Sequence, residues 1–146
     1  MKQTKNIAAA ALRAIAGARR GGPAFCNIAE GTHAGSVTMR AAEAVDSQNL
    51  LVAAGENDGE FVVASASKKP IGVCLDEGAK GDSVSVALPG CAESTFVCRT
   101  SANVSAGDSL YASAAGKGRP VAGHRAYKLG VALCSAAAGC PVEIDP

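Results

Sequence analysis

Tryptophan is absent from the chain, and three Phe and two Tyr are its only aromatic residues. A core built without large rings is shallow. Hydrophobic residues make up 48% of the 146 residues, yet 31 of them are alanine. Burial stabilises by ~0.8 kcal/mol per CH₂, so an interior of methyls gains less than that share suggests. Association with further copies or with a larger body is the expected supplement. Charge is also scarce, at 18% with a net of +1. That balance excludes nucleic-acid binding by bulk positive charge, and the apolar share excludes a wholly disordered chain. No run approaches the ~20 apolar residues of a membrane-spanning helix, and no membrane partner is expected.

Reactive groups are few. His33 and His124 are the only histidines, and both sit among glycines in loop-like surroundings. Cys26, Cys74, Cys91, Cys98, Cys134 and Cys140 form no CxxC pair, so no zinc-ligand spacing appears and neither metal nor cofactor is expected. Cys91 with Cys98, and Cys134 with Cys140, lie close enough in sequence to bridge where geometry allows. The opening MKQTKNIAAAALRAIAGARR resembles a secretory leader superficially, but Arg13 interrupts its apolar stretch and Arg19 and Arg20 stand where a neutral cleavage region belongs. The expectation is a soluble protein made in a reducing cytosol, its cysteines serving as small buried hydrophobes.

The even charge balance hides an asymmetry. Lys2, Lys5, Arg13, Arg19 and Arg20 give the first 20 residues +5 with no acid, and the remaining nine cations against thirteen acids leave −4. Residues 7–20 are strong helix formers behind a plausible Asn6 cap, and Gly21, Gly22 and Pro23 stop the run. A short helix of this length needs a surface to lie on. The candidate partner-contact residues are therefore Lys2, Lys5, Ile7, Leu12, Arg13, Ile15, Arg19 and Arg20. Docking on an acidic protein surface is preferred to a solvated tail or to nucleic acid, since no aromatics are interleaved for base stacking.

Beyond residue 36 the pattern changes to short β-type runs separated by Gly, Asn, Asp and Ser. Nine strands are expected: 37–41, 49–54, 60–64, 70–75, 82–88, 95–99, 109–112, 128–133 and 141–144, with residues 55–59 as a hairpin loop between the second and third. The fold class is mainly β, a small barrel or sandwich over 36–146 preceded by an arm or short helix and linker over 1–35. An internal repeat runs through this body. Ile71-Gly72-Val73-Cys74-Leu75 aligns without gaps with Leu129-Gly130-Val131-Ala132-Leu133, and the match continues through Gly81 with Gly139, Val84 with Val142 and Val86 with Ile144. The repeated units, 71–86 and 129–144, each read as strand, turn, strand, with Gly72 and Gly130 as equivalent bends or close backbone approaches.

Gly107-Asp108-Ser109-Leu110 resembles the signature of one esterase family and makes Ser109 a candidate nucleophile. The Asp-x-x-His partner pair of that family is missing, and Gly81-Asp82-Ser83-Val84 repeats the tetrapeptide before another strand, so a turn entering a strand is the simpler account. The acids Asp76 and Glu77, and Glu56, Asp58 and Glu60, read as loop tips that keep a β-protein soluble rather than as a general acid–base pair or a calcium site. Gly116-Lys117-Gly118 lacks the ending of a phosphate loop.

Taken in order, Pro70–Leu75, Gly81–Gly90, Val104–Ala112, Gly116–Gly118, Leu129–Leu133 and Pro141–Ile144 resemble the small capsid cement, or head-decoration, proteins of tailed bacteriophages over roughly residues 48–146. The resemblance implies a structural virion protein without enzymatic activity. It implies attachment to the outer surface of an icosahedral head, as homotrimers that bridge neighbouring major capsid subunits, after synthesis in the bacterial cytoplasm. Two departures stand out: the loop from Cys134 to Cys140 replaces a more polar one, and the N-terminal segment is longer and more helical. A self-assembling β-module of cellular origin is the other non-enzymatic reading.

Overall fold

The computed structural model describes residues 35–89, 95–121, 123 and 126–146. The expected helix over 7–20 and the rest of the arm before Gly35 lie outside these residues. Ten strands follow: β1 (Ser36–Ala41), β2 (Leu51–Ala54), β3 (Glu60–Val63), β4 (Pro70–Cys74), β5 (Ser83–Ala87), β6 (Phe96–Arg99), β7 (Ser109–Ala112), β8 (Gly118–Arg119), β9 (Lys128–Ala132) and β10 (Pro141–Asp145). Nine correspond to the strands read from the sequence. The tenth, β8, is two residues long, contains a glycine, and offers no alternating pattern to detect.

Period-2 burial explains the strands. In β5 the valines Val84 and Val86 point inward between Ser83, Ser85 and Ala87, and in β10 Val142 and Ile144 point inward between Pro141, Glu143 and Asp145. The first five strands form a closed barrel in the order β1-β3-β2-β4-β5, sealed by parallel pairing of β1 with β3. The last five form a sheet in the order β6-β10-β9-β7-β8, which is the same ring of neighbours read in the opposite direction, with each strand replaced by its counterpart five later. Its outer strands meet through one parallel bridge, Thr100 to Gly118.

The repeat therefore extends to the whole described body. Leu51–Ala54 of β2 corresponds to Ser109–Ala112 of β7, 58 residues on, and β1 corresponds to β6 at 59. Even the irregularities recur. The β2–β4 register shifts at Val52, opposite Gly72, and the β7–β9 register shifts at Leu110, opposite Gly130. A Cβ on Gly72 would meet the Ala87 carbonyl oxygen at 2.5 Å, and one on Gly130 would meet that of Asp145 at 2.1 Å. These two glycines admit a neighbouring backbone that no other residue would.

The halves differ in what fills them. The first interior is occupied by its own Phe61, packed with Val45, Val52, Val84 and Val86. Gly118 stands at the corresponding place in the second half, paired with Ala112 and bridged to Thr100 as Phe61 is to Ala54 and Ala41, and the buried Nε of its neighbour Arg119 has no hydrogen-bond partner among the described residues. The second interior is completed from outside. Leu51, Ala53, Ala64 and Val73 of the first half join Phe96, Cys98, Leu110, Val142 and Ile144 in one cluster. Strand β2 is consequently buried on both faces, Val52 toward its own barrel and Leu51 with Ala53 toward the second half. Burying Leu51 and Val52 contributes about 1.5–3 kcal/mol each.

Gly130→Ala is expected to cost about 3 kcal/mol or more, because the Asp145 carbonyl must move. Gly139→Ala, at φ 84 with nothing within 4 Å of the added carbon, should cost only the left-handed backbone strain of about 1–2 kcal/mol. Urea unfolding of the two variants measures the contrast; equal losses would remove close approach as the reason for Gly130.

Candidate functional site

Both Gly-Asp-Ser motifs are turns that enter strands. The Asp82 carboxylate accepts the Ala79 amide at 2.9 Å, and the Asp108 carboxylate accepts the Ser105 amide at 2.9 Å. The same tetrads close backbone bonds from the Asp82 amide to the Ala79 carbonyl and from the Asp108 amide to the Ser105 carbonyl. Gly81 at φ 95 and Gly107 at φ 89 supply the left-handed residue such turns require. Ser109 lies half-buried in β7, opposite Val131. Its neighbour Asp108 is committed to the turn rather than to orienting a base.

The acidic tips separate in role. Asp76, Glu77, Glu56 and Asp58 are exposed, whereas the Glu60 carboxylate accepts a 2.7 Å bond from the Asn57 side-chain amide within the β2–β3 turn. Among the described residues no three His, Cys, Asp or Glu side chains gather as a metal site would require. Lys2, Lys5, Ile7, Leu12, Arg13, Ile15, Arg19 and Arg20 lie outside the described residues, as do His33, His124, Cys26 and Cys91.

The remaining cysteines are free thiols. Cys74 and Cys98 are buried in the two interiors, and Cys134 and Cys140 are exposed in the loop between β9 and β10. Burial pushes the Cys74 thiol up despite backbone hydrogen bonds that pull it down. The same effect takes Cys98 from an ordinary 9.0 up to about 12. Neither is a nucleophile at neutral pH.

Surface features are of two kinds. A cleft of about 600 Å³ opens at the end of the first barrel, where Arg40 of β1, Lys68 and Lys80 of the loops, and Glu56, Asn57 and Glu60 of the hairpin converge. A smaller, apolar groove of about 260 Å³ runs between the halves past Val73, Leu75, Leu88, Pro89, Phe96 and Val97. Leu75 and Leu133, at corresponding positions just beyond β4 and β9, are 41% and 50% exposed. The sequence reading missed the cleft, because its lining residues come from four separate segments and share no motif. The arginine pair behind it, Arg40 and Arg99, becomes visible only once β1 is aligned with β6.

The described body is a duplicated small β-unit in which both Gly-Asp-Ser carboxylates are bound within turns. The sequence matches the phage cement protein family over residues 28–142, and the chain belongs to that family, a family of structural proteins of the phage head. No curated protein matches it. Among solved structures, the N base of the head fiber gp8.5 of bacteriophage phi29 superposes with a TM-score of 0.62. That likeness is one of fold, at 23% identity over 75% of this chain and 90% of the other.

The raised thiols set an alkaline dependence. Above pH 9 the unfolded chain releases the Cys98 proton while the folded chain keeps it, so the unfolded state binds fewer protons and stability falls as pH climbs from 9 toward 12. At pH 10.5 the expected loss is roughly 2 kcal/mol. Urea unfolding from pH 8 to 10.5 should show a steeper decline for the native chain than for Cys98→Ala; parallel declines would contradict the assignment.

Proposed function

We propose that this protein cements a bacteriophage head from the outside, as a homotrimer bridging neighbouring major capsid subunits, with segment 1–35 docking on an acidic patch of the capsid. The observation that carries this reading is the match to the phage cement protein family over most of the body. The fold likeness to the base of a phage head fiber supports it, as does the charge division between a +5 segment and a −4 remainder.

The physics of cementing suits such a chain. A shell offers many identical sites, and a protein that touches several subunits at once gains avidity, so modest individual contacts can resist pressure from packaged DNA. An acidic body turned to solvent keeps coated particles apart, while the basic segment seeks opposite charge beneath it. Neither nucleic acid nor membrane is a partner in this reading, and no catalysis is called for.

Exposed ion pairs contribute about 0.2–1 kcal/mol each, so the five cations together supply roughly 1–5 kcal/mol at low salt. Deleting residues 1–20 should weaken binding to undecorated heads by about fivefold or more, with the difference shrinking as salt rises. Occupancy by sedimentation of heads with bound protein measures it. Unchanged occupancy at low salt removes the segment from the docking surface; failure of the full chain to bind any head removes the cementing role itself.

A further inference from the structure

The junction between the two halves is a template. On the first half, Leu51 of β2, Val73 of β4 and Ala87 of β5 stand side by side on the outer face of the barrel. Leu51 and Val73 are each 1% exposed, because the second half covers them. The loop leading into this row, Gln48-Asn49, is gripped by Arg99 of β6. Its backbone N–H donates to the Asn49 carbonyl at 2.8 Å, its Nε to the Gln48 carbonyl at 3.0 Å, and its Nη1 to the Gly139 carbonyl at 2.9 Å.

Both sides of this junction occur a second time, unpaired with each other. The row at +58 is Ser109, Val131 and Asp145, again side by side across β7, β9 and β10; Ser109 and Val131 are half-buried and Asp145 is exposed. The loop at +58 is Ala106-Gly107, and its backbone takes the same left-handed turn, φ 89 at Gly107 against 63 at Asn49. The counterpart of Arg99 is Arg40. It is exposed beside Gly81, the counterpart of Gly139, and its guanidinium makes no hydrogen bond among the described residues. The 600 Å³ cleft opens beside it.

We infer that the Arg40 cleft of one molecule receives the Ser109–Val131–Asp145 face of a second copy, head to tail, repeating between molecules the junction that joins the halves within one. Arg40 then donates to the Ala106 carbonyl of the incoming copy, as Arg99 does to Gln48. The chemistry has shifted to match. Phe61 already fills the first barrel, so the seat is a charged cleft rather than an open core. The incoming row has traded leucine and alanine for serine and aspartate, which suits a cleft where Arg40, Lys68 and Lys80 outnumber Glu56 and Glu60. Such a contact exchanges readily and weakens with salt. Because each copy contributes one cleft and one different face, the contact is heterologous and builds a ring or a chain rather than stopping at a dimer. It gives the self-association in the proposed function a surface, but stands on the purified chain without any capsid.

Sedimentation velocity of the full-length protein over a concentration series tests the inference. The native chain should assemble beyond a dimer, and Arg40→Glu and Ser109→Arg should each weaken assembly by about tenfold or more. An equimolar mixture of the two variants should stop at a one-to-one pair, since a single intact cleft meets a single intact face. If Ser109→Arg loses its folded circular dichroism signal, the exposed Asp145→Arg replaces it. A native chain that stays monomeric at about 1 mM, variants that assemble like it, or a mixture without pairs would each overturn the proposal. Binding of the Arg40→Glu chain to undecorated heads reads capsid adhesion separately, so either reading can fail while the other stands.

Discussion

The seating of the second half against the outer face of β2 and β4 is the contact on which the rest of the molecule depends. The first half closes itself, by two parallel pairs between β1 and β3 and by Phe61 in its centre. The second half has one parallel bridge in the same place and a glycine, Gly118, where the phenylalanine would be. Its interior becomes a core only when Leu51, Ala53, Ala64 and Val73 are pressed into it. A chain with five aromatics among 146 residues cannot fill two separate interiors with rings. Sharing one strand between two cores lets small side chains complete both.

How far the sequence disclosed this arrangement depended on which side chains had diverged. The strand–turn–strand units at 71–86 and 129–144 were legible because valines, isoleucine and leucine repeat at period 2 and the bend and turn glycines hold their places. Those glycines are held by contact with the Ala87 and Asp145 carbonyls and by positive φ at Gly81 and Gly139, constraints that favour glycine over every other residue. The corresponding pair β2 and β7 was not recognisable as a repeat. Leu51-Val52-Ala53-Ala54 faces a second core, whereas Ser109-Leu110-Tyr111-Ala112 does not, so their outward positions answer to different surroundings. Strand β8 escaped notice for want of length, and the Arg40 cleft because residues from distant segments meet only in three dimensions.

The motif that most resembled a reaction centre turned out to be structural twice over. Gly-Asp-Ser at 81–83 and at 107–109 performs one task, an aspartate accepting the amide three residues earlier while a left-handed glycine reverses the chain. A tetrapeptide that recurs before two strands is better explained by what every strand entrance needs than by chemistry that one site would need once. The buried cysteines tell the same story in another register: Cys74 and Cys98 lie inside the two halves with thiols held protonated by desolvation, and they pack as small apolar groups.

Unequal closure of the two halves also fixes an order in time. The first half emerges from the ribosome first and carries everything it needs to close, including its own central aromatic. The second emerges later onto a finished surface and borrows it as a mould. Vectorial synthesis thus runs in the direction that the packing requires, and a reversed arrangement, with the dependent unit ahead of its template, would leave an open apolar bowl waiting in the cell.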